Sequence, residues 1–544
     1  MTDGSAPWQR LSSRLTRLLR LALVLLSAFF ALLFLYTALR RMRYPFELEW
    51  IESGILVSVR RITQGLPLYV KPSLDFVPFL YAPLYLYLAA ALAKITGVSY
   101  ATLRLISTLS TLGSLAVIAA LVHYETRRWL PAITAAGLYA ACYPVTEAWF
   151  DIGRVDSLFI FLMLAAIYCS RRGSPVLAGL MWVLVFQTKQ TILPIAVLLL
   201  CADWQRPRRM LAGLATFGIV LTGSILWLNH ITGGWYGFYV FATTRGLPIV
   251  WRQVALYVPQ DLLAPLGITF LLVLAALLVA PPALRSRTTS FYALVSFGIY
   301  AALWFVKAHR GATVNALLPA YAWTAVLFGV ALHRLLCWLE HSAPIAWVPT
   351  GRLLLLSAAF VQLFMLMYNP GRYIPTKAVL ATRQAFIQQL RALPGDVYVF
   401  DHTNDAYLAG KQPHAEMEAL GAVLDSPASP AHDAVFADLK SALQTGKFNA
   451  IVLDGPPTTI VPGQGAIPAD FPQLYPLAFS AVGEDQMKFL TSQPQWILMP
   501  CSGLRGDHTA YLGPQSVVVY GSCAAGATAD APASKGLVSG DPRQ

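Results

Sequence analysis

Residues 21–52 read LALVLLSAFFALLFLYTAL, then RRMRYP, then FELEWIE. The first block, Leu21 to Leu39, is nineteen residues almost without a polar atom, and at 1.5 Å per residue it spans a bilayer core as a helix. The last block, Phe46-Glu47-Leu48-Glu49-Trp50-Ile51-Glu52, places three carboxylates in six residues directly beyond it. Carboxylates are costly near hydrocarbon, so such a cluster at the mouth of a membrane helix marks a functional site.

Working outward, Arg10, Arg14, Arg17 and Arg20 precede the apolar run. No small-residue cleavage site follows it, so it reads as an uncleaved first span with a cytoplasmic N-terminus. Across 544 residues, 56% are apolar and 12% charged, a membrane composition. The net charge of +13 comes from arginines clustered between apolar stretches, which is topology signal and contact with anionic lipid rather than a nucleic-acid face.

Apolar runs at 103–123, 131–149, 156–170, 174–188, 190–203, 210–229, 261–281, 290–306, 312–332 and 352–368 join the first helix to make about 11 spans. The stretch 79–95 is long enough to cross, but the arginine count argues against it. With 79–95 lying along the outer interface, Arg127, Arg128, Arg171, Arg172, Arg206, Arg208, Arg209, Arg285, Arg287, Arg334 and Arg352 all fall inside. If it crossed, they would all fall outside. Its tyrosines also suit an interfacial helix. The same logic makes 174–203 a hairpin with Gln187-Thr188-Lys189-Gln190 at its outer tip. The loop 40–102 and everything after Tyr368 then lie outside. Arg40-Arg41-Met42-Arg43 runs against the charge rule, either as an anchor offset by the glutamates or as an attractor of an anionic lipid headgroup.

The reading thus divides the chain into a membrane module (1–370), an outer unit (371–523) and a disordered tail (524–544). In the outer unit, Val397 to Phe400 and Ala450 to Leu453 look like strands around a helical Ala431 to Leu443, a β–helix–β rhythm for a small α/β domain. The tail is mostly Ala, Gly, Ser, Pro and Asp. Cys501 and Cys523 are the disulfide candidates. Asp401, His402, Asp405 and His414 follow no strong metal-ligand spacing and read as polar loop residues; no cofactor is expected, and dependence on a divalent metal stays open. There is no Walker loop and no glycine-rich dinucleotide motif, so a substrate borne on lipid is favoured over a cytosolic nucleotide.

The polar features converge on the outer rim: Glu47, Glu49 and Glu52; Asp151, Arg154 and Asp156; Lys189; Arg245 and Arg252; and Lys307, His309 and Arg310. Carboxylates beside several cations suit group transfer from a phosphate leaving group. Plainer roles exist for some of them. Asp156 at a helix start complements the dipole, and Lys189 snorkels to the interface.

In this order the features resemble the GT-C fold glycosyltransferases that use polyprenyl-phosphate sugars, in the bacterial group of protein O-mannosyltransferases and lipid A aminoarabinose transferases. The matching elements are the acidic first-loop motif, Tyr81-Ala82-Pro83-Leu84-Tyr85, Arg104, Gly153-Arg154-Val155-Asp156, Thr188-Lys189-Gln190 and the stretch from Lys307 to Asn315. The usual first-loop Asp-Glu pair is replaced by Glu-Leu-Glu, which leaves the base open among Glu49, Glu47 and Glu52. The resemblance implies sugar transfer, generally inverting, to a lipid, glycan or protein acceptor outside a bacterial inner membrane. A first-loop carboxylate would take the acceptor's proton, and Asp156 would orient the acceptor or steady the oxocarbenium charge. Lys189 with Arg245 or Arg310 would neutralise the leaving phosphate, Arg154, Arg252, Lys307 and His309 would assist, and a membrane groove would hold the prenyl chain. Two other readings are a transporter or flippase of a lipid-linked saccharide, which would show inverted repeats and midplane charges, and a membrane-anchored binding module.

Overall fold

The computed structural model describes residues 5–453, apart from 202–203, 205, 244–248, 280–286, 309–312, 425, 427–428 and 446, together with strands at 477–480 and 496–498. Arg245, Arg285, His309, Arg310, Cys501, Cys523 and the tail 524–544 lie outside the described residues.

The helices of the membrane module are α1 (Ser5–Met42), α2 (Trp50–Thr63), α3 (Leu84–Thr96), α4 (Tyr100–Thr126), α5 (Trp129–Ala141), α6 (Val155–Arg172), α7 (Pro175–Thr188), α8 (Leu193–Cys201), α9 (Pro207–Ile231), α10 (Trp235–Gly237), α11 (Trp251–Leu256), α12 (Ala264–Leu278), α13 (Arg287–Lys307), α14 (Leu318–His341) and α15 (Val348–Met365). Seven helical stretches among the described residues are long and apolar enough to cross a bilayer. They are Trp8–Met42, Tyr100–Thr126, Pro207–Ile231, Trp251–Leu278, Thr288–Lys307, Val314–His341 and Val348–Arg372. The remaining apolar runs form the shorter helices α5 to α8. The helix expected over 79–95 starts only at Leu84, after Pro83, and Phe79 to Ala82 run as irregular chain.

The two ends of the bundle differ in charge. At one, Arg171 pairs with Glu125 at 2.6 Å and Arg352 with Glu340 at 2.8 Å, while Arg17 and Arg20 share a cleft with Arg352. At the other sit Glu49, Glu52, Asp151 and Asp156, all buried. Helix α7 and the short α8 fold back on each other around Lys189. Gly213 on α9 lies under Leu200 and Pro175, whereas Gln187 reaches Ser224 near the far end of α9, so Pro175 and Leu200 share one level and Lys189 is the tip.

Prolines interrupt the span 251–278. Pro259 lies in a π-helical segment and Leu266, after Pro265, leaves helical dihedrals. Gln362 of α15 repairs the break, accepting from the Thr269 N–H and donating to the Pro265 carbonyl, both at 3.0 Å. A buried amide there satisfies backbone groups that hydrocarbon would leave unpaired.

Beyond Tyr368 come α16 (Lys377–Ala392), β1 (Val397–Val399), α17 (Thr403–Leu408), α18 (Met417–Leu424), α19 (Pro430–Gln444) and β2 (Ala450–Leu453). Strands β1 and β2 pair in parallel, Val397 opposite Ala450, with helices in the crossover. Strands β3 (Leu477–Ser480) and β4 (Trp496–Leu498) complete a sheet of order β1-β2-β4-β3, with β4 antiparallel to both its neighbours.

Candidate active site

Arg104 organises the carboxylate end. It is fully buried on α4, and each of its nitrogens donates. Nε and one terminal nitrogen grip the Glu52 carboxylate at 3.1 and 2.7 Å. The rest of the fork holds the carbonyls of Arg41, Tyr44 and Phe46 at 3.1, 2.7 and 2.6 Å. Glu52 also accepts from the backbone N–H of Leu48 at 2.7 Å and of Gly153 at 2.5 Å. Burial alone would raise its carboxyl, but Arg104 and these amides hold it below the ordinary range. Glycine at 153 permits this approach, since a Cβ there would fall 2.6 Å from the Leu103 side chain and 3.0 Å from Glu52 itself. Glu52 is therefore saturated by the loop it shapes.

A second buried pair lies beside the first. Arg41 donates to Asp151 and the Ala148 carbonyl, at 2.8 and 2.9 Å, and also bonds the Tyr143 hydroxyl. Of the three arginines that run against the charge rule, Arg41 is thus an internal partner, whereas Arg40 and Arg43 are exposed. The turn that presents Ala148 uses left-handed backbone at Glu147 and Ala148, with φ of 49° and 61°.

Glu49, Arg154, Asp156 and Lys189 form a continuous line of alternating charge. Glu49 caps α2, accepting from the Ile51 N–H at 3.1 Å with one oxygen. Its other oxygen takes Arg154 at 2.6 Å. Arg154 lies over the Trp149 ring, donates to the Tyr81 hydroxyl at 2.6 Å and reaches Asp156 at 3.5 Å. Asp156 opens α6 and binds Lys189 at 2.8 Å and the Asn315 amide at 3.3 Å. Lys189 and Asn315 also line a cleft whose walls are Phe159, Ile192, Ile195, Leu303, Val306 and Pro319. Burial pushes the Glu49 carboxyl up to about 8 against the pull of Arg154, with Glu52 and Asp156 adding repulsion.

Glu47 faces elsewhere. It receives Arg383 of α16 at 2.5 Å and contacts His402, and the same Arg383 reaches Asp405 at 2.7 Å. Nearby, Ser53 accepts from the Asn404 N–H at 2.7 Å, and Arg60 donates to the Asn404 side chain at 2.9 Å while stacking on Tyr407. Polar groups of the region after 370 are thus clipped to the first loop. His414 contacts Asp396 at 2.9 Å, and among the described residues no group of three or more His, Cys, Asp or Glu is arranged to hold a metal.

Of the residues expected at the rim, Glu49, Glu52, Arg154, Asp156 and Lys189 come together, and Glu47 adjoins them. Arg252 is exposed on α11, and Lys307 lies 3.8 Å from Asp261 next to cleft residue Val306. The sequence reading missed Tyr81 and Asn315 as individual partners, although both stand in stretches it quoted. It also missed Arg383, since nothing in the sequence pairs it with a glutamate 336 residues away.

A model of glycosyltransferase family 87 matches residues 79–275, less than half of the chain, a stretch that holds Arg154, Asp156 and Lys189 but not Glu49. No curated protein is matched by sequence. Among solved structures, ArnT from Cupriavidus metallidurans bound to undecaprenyl phosphate is similar with a TM-score of 0.53 at 15% identity, over 89% of this chain and 99% of that one. The apo form of that ArnT gives the same TM-score and coverage at 14% identity. The architecture expected from the motifs is the one found: this chain is a polytopic helical membrane protein with the GT-C fold of ArnT.

Proposed function

We propose that this protein is an integral-membrane glycosyltransferase that moves a sugar from a polyprenyl-phosphate donor to an acceptor hydroxyl at the outer face of a bacterial inner membrane. The observation that carries the reading is the charge line itself. A buried carboxylate paired to Arg154 stands at one end, and a lysine that lines an apolar cleft stands at the other. The family 87 match and the likeness to an ArnT that binds undecaprenyl phosphate support it.

In this reading the prenyl chain lies along Phe159, Ile192, Ile195 and Leu303, and the donor phosphate meets Lys189. The acceptor oxygen attacks the anomeric carbon from the side opposite the phosphate. As the carbon–oxygen bond to phosphate breaks, Glu49 takes the acceptor's proton, and the configuration inverts. Asp156 holds Lys189 in place and steadies positive charge on the ring, while Arg154 ties Asp156 to Glu49. Glu52 serves as the staple that shapes the loop, and Glu47 anchors the region after 370. The positive-inside rule supports a cytoplasmic arginine-rich end, and with it a site at the outer face.

The test is transfer by the full-length protein in lipid nanodiscs, supplied with a panel of synthetic polyprenyl-phosphate sugars and with octyl glycosides as hydroxyl acceptors, with glycosylated acceptor and released polyprenyl phosphate as the readouts. Release that depends on Glu49 supports the reading. A wild-type protein that releases no phosphate but moves the donor between leaflets would favour the flippase alternative instead.

A further inference from the structure

Among the described residues, Glu416 is the one buried acid near this site not yet accounted for. It is 3% exposed, and neither carboxyl oxygen has a hydrogen-bond partner. Its position is fixed from both sides. The Ala415 N–H donates to the Leu74 carbonyl and the Met417 N–H to the Phe400 carbonyl, each at 2.8 Å. These two bonds direct the side chain over α2 at Gly54, where a Cβ would fall 1.9 Å from the carboxyl and 2.4 Å from the Phe79 ring. Glycine at 54 thus makes room for the Glu416 carboxyl over α2, five residues along from its cap Glu49. Phe79 stacks on Tyr81, whose hydroxyl holds Arg154, so the carboxyl sits over the same wall as the charge line.

A buried carboxyl with two unmet oxygens is costly unless a ligand completes it. Burial holds it well above the ordinary carboxylate range, and repulsion from Asp401, Glu47, Glu418 and Glu49 adds to the shift. A neutral carboxyl has one O–H donor and retains acceptor capacity. That pattern matches a hydroxyl, which also donates and accepts, and it offers no charge to a phosphate.

We propose that Glu416 is a binding residue for the acceptor, hydrogen-bonding a sugar-type hydroxyl so that a neighbouring hydroxyl meets Glu49. The region after 370 then supplies part of the acceptor subsite. This rests on the glycosyltransferase reading above and names the acceptor as a hydroxyl-rich headgroup.

The test uses the full-length protein in nanodiscs with a polyprenyl-phosphate sugar as donor and octyl glycosides, below their micelle concentration, as acceptor probes. Glu416→Ala is expected to raise the acceptor KM about tenfold, the loss of one hydrogen bond of about 1.4 kcal/mol, while the donor KM holds. Glu416→Gln, a neutral donor and acceptor of the same length, restores most of the loss. An unchanged acceptor KM in Glu416→Ala, or an equal rise in both KM values, overturns the proposal. Should Glu416→Ala fail to fold, infrared difference spectra of wild type and Glu416→Gln decide it. A protonated-carboxyl band absent from Glu416→Gln, and shifted by octyl glycoside but not by octanol, supports the assignment, and a band that ignores the glycoside sinks it. Wild-type protein that transfers from no donor defeats the glycosyltransferase reading alone, since the infrared result still reports on Glu416.

Discussion

Glu49 and Glu52 are three residues apart in one motif, yet the structure gives them different partners, and replacing each by glutamine should separate the roles proposed for them. Glu52→Gln removes the carboxylate that takes two donors of Arg104, leaving a guanidinium buried at 0% exposure with only carbonyl partners. Breaking such a pair costs about 3–5 kcal/mol. At roughly 2 °C per kcal/mol, the low end of the usual scale for a chain this long, Tm should fall by about 6–10 °C. Glu49→Gln is different. Arg154 keeps Tyr81 at 2.6 Å and Asp156 at 3.5 Å. The loss should be one charged hydrogen bond at most, about 1.5 kcal/mol, while turnover falls about 10²–10⁴-fold with the base gone. The assay is paired thermal unfolding and polyprenyl-phosphate release on both variants in nanodiscs. If Glu52→Gln keeps the wild-type Tm but loses turnover, or Glu49→Gln turns over normally, the division of roles is wrong.

The raised Glu49 carboxyl sets a pH profile. Only its ionised form accepts a proton, so the rate should climb tenfold per unit below about 8 and level above it, a limb that Glu49→Gln should lack in a pH–rate series. The same group, with its folded value above the unfolded one, stabilises the fold most below about 4.5 and loses that contribution as pH rises through about 8, which thermal unfolding across pH 5–9 reads. Lys189→Met should raise the donor KM about 10–100-fold, the loss of one charge-assisted contact, in a donor titration, with partial recovery in Lys189→Arg. Arg383→Ala leaves Glu47 and Asp405 buried without their cation, at a cost of about 3–5 kcal/mol, and limited proteolysis should then cut faster within 392–424 than in the bundle. Gly153→Ala forces a methyl against Leu103 and Glu52, and its Tm should drop by the equivalent of about 1–3 kcal/mol.

The parts of the site legible in the sequence are those where the membrane enforces the pattern. Hydrocarbon penalises charge, so each buried ion stands out against an apolar background, and Glu49, Arg154, Asp156 and Lys189 were visible as exceptions before any contact was known. Arginine clusters at loops act the same way, and they separate the Lys189 tip from the end that carries Arg171 and Arg352. What did not show in advance was pairing. Arg41 looked like a breach of topology because its partner, Asp151, is 110 residues away. Glu47 showed no partner in the sequence because Arg383 belongs to a region whose polar composition hides one cation among many. Glu416 carries this furthest. In a polar segment one more glutamate has no contrast, and only the packing of that segment onto Gly54 removes it from water. A residue that is ordinary by composition became exceptional by burial, which is why Glu416 had to be read from the fold, whereas the line from Glu49 to Lys189 was already legible against the apolar helices.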